Sequence, residues 1–199
     1  MSVNMSLRAV VVVSLALAGP LAWADRDASA FHLPPWPAQI ATPELHLTDT
    51  KGRPRALEDF KGRVIIVYFG FVSCPDVCPA TLQKLALTGR RLGSAADRIE
   101  LLFVTLDPEH DTPAQLDAYV RMAGLRATAL TGTPDGINRA AKSFSVQHAR
   151  IVSNGAATID HSGGLYIIDA SGRLRLVAPV NVSIEDLAHD LRILAAESS

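Results

Sequence analysis

The two cysteines of this 199-residue chain stand close together, in the segment CPDVCPA at positions 74 to 80. Cys74 and Cys78 are separated by three residues, and a proline follows each of them. Two thiols at this spacing can close a disulfide, cycle as a redox couple or bind a soft metal ion. A structural disulfide is disfavoured, because a loop this short offers little loop-closure entropy. A thioredoxin-type couple would have two intervening residues rather than three.

A metal site would need at least one ligand beyond the two thiols, and imidazole is a natural complement. The sequence contains six histidines: His32, His46, His110, His148, His161 and His189. His110, in DPEHDTP, follows a predicted strand at the same edge as the cysteines, and His161, in TIDHSGG, directly precedes another predicted strand. We expect His32 and His189 at the surface, because they lie in a proline-rich segment and among polar neighbours. Spacing alone does not choose among the six.

A strand, helix, strand unit is predicted to position the cysteines. The run VIIVYFGF, residues 64–71, is typical of a strand buried on both faces at the centre of a sheet. A helix is expected from about Pro79 to Gly93, and IELLFVTL, residues 99–106, forms the next strand. Such a unit favours parallel pairing. The cysteine loop would then lie at the C-terminal end of a central strand, where open α/β sheets hold their sites.

The start of that helix should affect the chemistry of the thiols. Cys78 is expected at the first helical turn, where unpaired N–H groups and the helix dipole favour a thiolate. The prolines at 75 and 79 are expected to stiffen the loop and to hold both thiols open to solvent. The sequence therefore predicts a reactive, accessible pair.

The remaining elements complete an α/β domain. A hairpin is predicted around Lys51-Gly52, and an antiparallel pair of strands around the turn at residues 170–173. Three further helices should begin at Thr112-Pro113, Thr133-Pro134 and Ser183. Together these elements predict a central mixed β-sheet flanked by helices, with an N-terminal β-hairpin.

The first residues are typical of an export signal. A basic start, a short apolar run and Ala22-Trp23-Ala24 predict a signal peptide over residues 1–24, cleaved after Ala24. A proline-rich lead-in, residues 25–43, would precede the domain, residues 44–199. We expect a periplasmic protein, with a membrane-anchored form facing the periplasm as the alternative. The net charge of −1, with no basic cluster, excludes nucleic acid as a partner.

Three segments in order resemble the motifs of the Sco/SenC family of copper proteins: FKGRVIIVYFGFVSCPDVCPATL, LDPEHDTP and IDHSGGLYIID. The resemblance runs from about Leu45 to the last predicted helix and implies a thioredoxin-like fold. It implies that Cys74, Cys78 and His161 bind one copper ion per chain, as Cu(I) or Cu(II). Asp76 and Asp160 are implied as candidates for the groups around these ligands. Zinc, the competing metal for two thiolates and an imidazole, is disfavoured because no general base for hydrolysis is evident.

The resemblance also implies a function. The protein would deliver copper for assembly of the CuA centre of cytochrome c oxidase, with the copper-bearing oxidase subunit and a periplasmic copper donor as partners. The alternative is a thiol–disulfide reductase that keeps the oxidase's copper-site cysteines reduced; it would use Cys74 and Cys78 but no histidine. Peroxide reduction is disfavoured, because Phe71 and Pro75 stand where a peroxidase has Thr or Ser, three residues before the reactive cysteine.

Overall fold

The computed structural model describes residues 30–37, 40–153 and 156–197, and its elements belong to one compact unit that begins at Phe31. The predicted signal peptide, residues 1–24, lies outside the described residues. The strands are β1 (His46–Asp49), β2 (Pro54–Ala56), β3 (Val64–Gly70), β4 (Ile99–Thr105), β5 (Arg126–Thr131), β6 (His148–Ser153), β7 (Ala156–His161), β8 (Gly164–Ile168) and β9 (Leu174–Pro179). The helices are α1 (Val77–Leu92), α2 (Pro113–Val120), α3 (Pro134–Ser143) and α4 (Ile184–Glu197). None of these described helices has the length and apolar character needed to cross a membrane.

Seven strands form one mixed sheet in the order β2-β1-β5-β4-β3-β8-β9. The three central strands β3, β4 and β5 are parallel, and the outer strands pair antiparallel. Every residue of β3 and β4 is buried, which explains why both sequences are mostly apolar, with Glu100 as the one charged residue in the two strands. The predicted mixed sheet and the parallel pairing of β3 with β4 are confirmed. β6 and β7 form a separate antiparallel hairpin.

The sheet has a core on each face, because successive side chains of a strand point to opposite sides. Val64, Ile66 and Tyr68 of β3 pack with the apolar faces of α1, α2 and α4. Ile65 and Phe69 pack on the other face, with α3 and with a residue of the β6–β7 hairpin. Helices therefore cover both faces, as predicted.

The helix starts follow the capping signals of the sequence. Thr112 and Gln115 form a capping box before α2, and the Thr133 side chain accepts a hydrogen bond from the backbone N–H of Gly136 before α3. Helix α1 begins at Val77, two residues earlier than expected, so that Cys78 lies inside its first turn.

The same turn joins the strands at both borders of the sheet. Residues 49–53, between β1 and β2, and residues 169–173, between β8 and β9, share the pattern Asp-x-x-Gly-Arg. In each turn the aspartate accepts hydrogen bonds from backbone N–H groups two and four residues later and from the arginine side chain. Each glycine has a positive φ, 77° and 90°, which a side chain would strain.

Part of the predicted lead-in is held against the outer edge of β9. The N–H of Trp36 donates to the carbonyl of Arg175 over 2.8 Å, and the N–H of Val177 donates to the carbonyl of Pro34 over 3.0 Å. Leu33 is buried in the core beneath this segment. Residues 31–37 therefore cover an edge that would otherwise offer unpaired backbone groups.

Strand β5 and the β6–β7 hairpin were not predicted from the sequence. The residues of β5 are buried only in part, so its apolar run is weak. Asn154-Gly155, between β6 and β7 in the sequence, is a strong hairpin signal that could have revealed the second element.

Candidate metal centre

Both thiols lie where the loop after β3 enters helix α1. The backbone N–H of Cys74 donates to the carbonyl of Phe71 over 3.3 Å, which closes the loop into a turn. The backbone N–H of Cys78 donates to Sγ of Cys74 over 3.4 Å. Both cysteines are free thiols, Cys74 half-buried and Cys78 fully buried. The first turn of α1 thus brings the two residues together with their thiols unequally exposed.

The Cys78 thiol is enclosed by strand β3 and by aromatic rings. A Cβ atom at Gly70 would lie 2.9 Å from Cys78 Sγ, so only glycine leaves room for the sulfur there. The Tyr68 hydroxyl lies beside the thiol without a hydrogen bond of regular geometry. Phe103 packs edge-on between Tyr68 and Tyr119, with ring centroids 6.0 and 5.4 Å away. The Cys78 sulfur therefore packs against a largely apolar, aromatic surface.

This enclosure reverses the expectation of an exposed thiolate at Cys78. Burial raises the pKa of the Cys78 thiol to about 12, above its ordinary value of 9.0, and the neighbouring Cys74 thiol adds to the rise. The loss of solvation outweighs the favourable field of the helix N-terminus. The expectation that the prolines hold both thiols open to solvent is also wrong for Cys78, whose side chain faces the core.

His161 ends strand β7 beside the cysteine loop. Its ring meets Phe71 edge-on, with centroids 6.2 Å apart, and its Nδ1 lies 3.2 Å from the carbonyl oxygen of Ser162. Among the described residues, Cys74, Cys78 and His161 do not form a group whose ligand atoms all lie within 4.8 Å of one another. Ligands of one copper or zinc ion, bound at about 2.0–2.3 Å, must be at least that close. Holding an ion with all three requires the two sulfurs and the imidazole nitrogen to come closer together.

A second imidazole lies opposite His161 in the hairpin. His148 of β6 is the direct cross-strand neighbour of His161. Partial burial lowers the pKa of His148, and the nearby His161 lowers it further. The hairpin therefore carries two histidines side by side on neighbouring strands. Recognising the hairpin in the sequence would have indicated that they pair.

An ionic cluster ties the hairpin to the loop after β4. Arg150 of β6 donates through Nη2 to Oδ1 of the buried Asp107 over 2.6 Å. His110 places Nδ1 2.7 Å from the same oxygen. His110 thus contacts Asp107 and Arg150 rather than the cysteines.

A second buried carboxylate holds the start of the cysteine loop. Asp111 accepts hydrogen bonds from the backbone N–H of Val72 and from the hydroxyl of Thr105, the last residue of β4. Burial raises the pKa of Asp111, although these hydrogen bonds oppose the rise. The loops after β3 and β4 are thereby fastened together.

The two aspartates beside the predicted ligands are both exposed. Asp76 is the N-cap residue of α1, but its side chain forms no capping hydrogen bond. Asp160 precedes His161 on β7, and its side chain points to the opposite side of the hairpin, since alternate residues of a strand face opposite ways. Their roles around a metal stay predictions.

Comparison with known proteins agrees with the motifs. A family model described as SCO1/SenC matches residues 37–196. A Stutzerimonas stutzeri protein, described as a candidate copper-binding protein, is 31% identical over 176 residues, 86% of each chain. The mitochondrial SCO2 homologue of Mus musculus is 32% identical over 139 residues, which are 68% of this chain and 54% of that protein, so the chain spans about half of that relative.

Solved structures give the same result for the fold. The structure of Bradyrhizobium japonicum ScoI with copper bound is similar with a TM-score of 0.69 and 30% identity, covering 77% of this chain and 99% of that chain. The family and the fold that the three motifs predicted are therefore confirmed. This chain belongs to the SCO1/SenC family and has its thioredoxin-like fold.

Proposed function

We propose that this protein binds one copper ion through Cys74, Cys78 and His161 and delivers it for assembly of the CuA centre of a cytochrome c oxidase. The observation that carries the proposal is the pairing of the two cysteines at the start of α1, where the backbone N–H of Cys78, in the first turn, donates to Sγ of Cys74 in the preceding loop. Membership of the SCO1/SenC family supports it, as does the copper-bound structure of the Bradyrhizobium japonicum relative.

The donor set fits copper. Two thiolates and an imidazole suit Cu(I), and imidazole also accepts Cu(II). Gly70 leaves space beside Cys78 Sγ. The apolar surface against which that sulfur packs excludes water, which would otherwise compete with the protein for the ion. Three protein ligands leave one coordination position open, through which an acceptor protein can take the ion. The three ligands therefore suit an ion that is passed on rather than a permanently bound cofactor.

We further propose that the protein works in the periplasm after export by residues 1–24. Its partners would be the copper-bearing subunit of the oxidase and a periplasmic copper donor. Membrane association would then occur only through a partner or an uncleaved signal. The apolar run, Ala9–Leu17 in the sequence, supports export, because it is shorter than the roughly 20 residues that a bilayer span needs.

Copper loading of the reduced mature protein tests the site. We expect one copper per chain and an intense thiolate-to-copper absorption after Cu(II) is added and the excess removed. His161→Ala should lose or alter that absorption, whereas His148→Ala, on the same hairpin, should keep it. Unchanged loading and absorption in His161→Ala would contradict the three-ligand site. If His148→Ala alone lost the absorption, the imidazole ligand would be His148 rather than His161.

A cellular assay tests delivery separately from binding. Deletion of the gene should lower cytochrome c oxidase activity, most strongly in copper-starved cells, and added copper should restore part of it. A copy with Cys74→Ser and Cys78→Ser should fail to complement the deletion. Normal oxidase activity in a copper-starved deletion strain would refute the delivery function even if the purified protein binds copper.

The unequal exposure of the two cysteines favours thiol–disulfide reduction as a second candidate function. The Cys74 thiolate would attack a disulfide of the oxidase's copper-site cysteines, forming a mixed disulfide and releasing one target thiolate. Cys78 would then attack the Cys74 sulfur, releasing the second target thiol and leaving Cys74 and Cys78 as a disulfide. His161→Ala should keep this activity, and full turnover in Cys74→Ser would exclude it.

A further inference from the structure

Two histidines and two aspartates meet where the segment Phe31–Pro37 contacts helix α4. The imidazole rings of His32 and His189 stack almost in parallel, with centroids 3.9 Å apart and an angle of 4° between the planes. Nδ1 of His32 lies 2.7 Å from Oδ1 of Asp186, and Nδ1 of His189 lies 2.9 Å from Oδ1 of Asp190. The cluster thus joins the segment around His32 to a part of α4 that is 154 or more positions away in the sequence.

The ligand atoms of this cluster come near the spacing of ligands around a single ion, and the two parallel rings would turn out of their stack to aim their nitrogens at it. One atom each from His32, His189 and Asp190 lies within 4.8 Å of the others, and within the described residues no other group of three or more His, Cys, Asp or Glu meets that condition. Two atoms bound to one zinc or copper ion at about 2.0–2.3 Å are at most about 4.6 Å apart. The nearby carboxylates also orient the rings, as carboxylates do for metal-binding histidines.

The charges of the cluster favour a cation. With both imidazoles neutral, the two carboxylates give it a charge of −2. Asp190 is fully buried and accepts backbone hydrogen bonds from His32 and Leu33, so its carboxylate needs a compensating charge nearby.

An ion could reach the cluster from solvent. The side chains of His32 and His189 are 50% and 41% exposed. Imidazole nitrogen and carboxylate oxygen suit Zn(II), Ni(II) and Cu(II), whereas Cu(I) prefers thiolates. The cluster shares no residue with the cysteine loop or with the β6–β7 hairpin.

We propose that His32, His189 and Asp190, with Asp186 beside them, form a second metal site, which binds a divalent ion of the zinc type. The ion joins the segment Phe31–Pro37 to α4. Because that segment covers the edge of β9, metal binding stabilises the border of the sheet.

Zinc titration of a protein that lacks the cysteine site tests this proposal. In a mature chain carrying Cys74→Ser, Cys78→Ser and His161→Ala, calorimetry should show one Zn(II) per chain and a rise in Tm with added zinc. His32→Ala or His189→Ala should abolish both effects. Asp186→Asn should weaken binding by about 10–100-fold. The matched control is His46→Ala, an exposed histidine of β1, which should bind zinc as the parent does.

Two variants keep the test independent of folding. Both side chains are about half-exposed, so far-UV circular dichroism should show folded protein in each variant, and His189→Gln replaces His189→Ala if the latter does not fold. The proposal is refuted if one zinc per chain persists in both histidine variants, or if the parent shows no saturable binding. Because the cysteine ligands are absent, neither result bears on copper binding at the first site.

Discussion

Cys78 shows how a single side chain can combine a structural and a chemical role. It is part of the core, in contact with strand β3 through Gly70, and it is also one of the two thiols of the chain. Its burial keeps the neutral thiol stable, because an isolated thiolate in that position would lose its solvation. A bound cation would change this balance, since it offsets the charge that burial penalises.

The copper affinity of the reduced protein should therefore depend steeply on pH. With a pKa raised to about 12, Cys78 carries its proton throughout the range from mildly acidic to neutral pH and must release it on binding. That proton alone makes the affinity fall about tenfold for each unit by which the pH is lowered. Titration with a competing Cu(I) chelator at pH 6, 7 and 8 measures the slope, with the chelator's own pH dependence as the control. An affinity that is flat over this range would contradict thiolate binding at Cys78.

At the scale of elements, the β6–β7 hairpin determines where His161 lies. The hairpin is outside the seven-stranded sheet, so its position depends on contacts with other elements, among them the core on the α3 side and the loop after β4. Arg150, which is bound to Asp107, makes one of these contacts. Within the described part of the chain, removing the arginine would leave the buried Asp107 carboxylate with His110 as its remaining side-chain partner.

Arg150→Ala should lower both stability and copper affinity. We expect a loss of about 1–3 kcal/mol in the free energy of unfolding, because a buried hydrogen-bonding group loses a partner. Copper should dissociate faster, because the hairpin that carries His161 is held less firmly. Urea unfolding and stopped-flow transfer of copper to a chelator measure the two effects. Arg139→Ala, an exposed arginine of α3, is the control; equal copper dissociation rates in the two variants would show that the ionic contact does not position His161.

The elements near the site differ in how well their sequences predict them. Strand β3 was predicted because burial on both faces leaves a continuous apolar run, and helix α1 because Pro79 and Gly93 mark its two ends. Strand β5 was missed because its pairing partners, β4 and β1, supply the stability that its short, partly exposed sequence lacks. The contact of His32 with His189 joins residues distant in sequence, and no local pattern encodes such a contact. The burial of Cys78 likewise depends on β3 and the rings beneath it rather than on its own helix.

At the scale of the whole molecule, residues 31–37 of the proline-rich lead-in pack against the described domain. Their backbone pairs with β9, and Leu33, only 5% exposed, packs into the core that also contains α4. The predicted boundary at residue 44 therefore separates the regular strands from a segment that packs with them, and an expression variant starting there would expose the β9 edge.

Leu33→Ala should destabilise the protein by about 2–5 kcal/mol, the range for a buried leucine cut back to alanine. Ile40→Ala provides the comparison, because Ile40 is 50% exposed and its truncation should change the free energy of unfolding by less than about 0.5 kcal/mol. Urea denaturation of the two variants measures the difference. If both lose the same amount, the lead-in does not contribute to the stability of the domain.

The repeated Asp-x-x-Gly-Arg turn makes the two borders of the sheet sensitive to acid in the same way. Burial would raise the pKa of Asp49 and Asp169, but hydrogen bonds from the turn and the adjacent arginines outweigh it and lower both values. A lowered pKa stabilises the fold above the unfolded value of 3.8, and that stability is lost as the pH falls through the folded value. Both turns thus stay closed in moderately acidic surroundings. In strong acid both outermost hairpins therefore lose these turn hydrogen bonds, whereas the parallel pairing of β3 with β4 rests on backbone hydrogen bonds that do not involve the two aspartates.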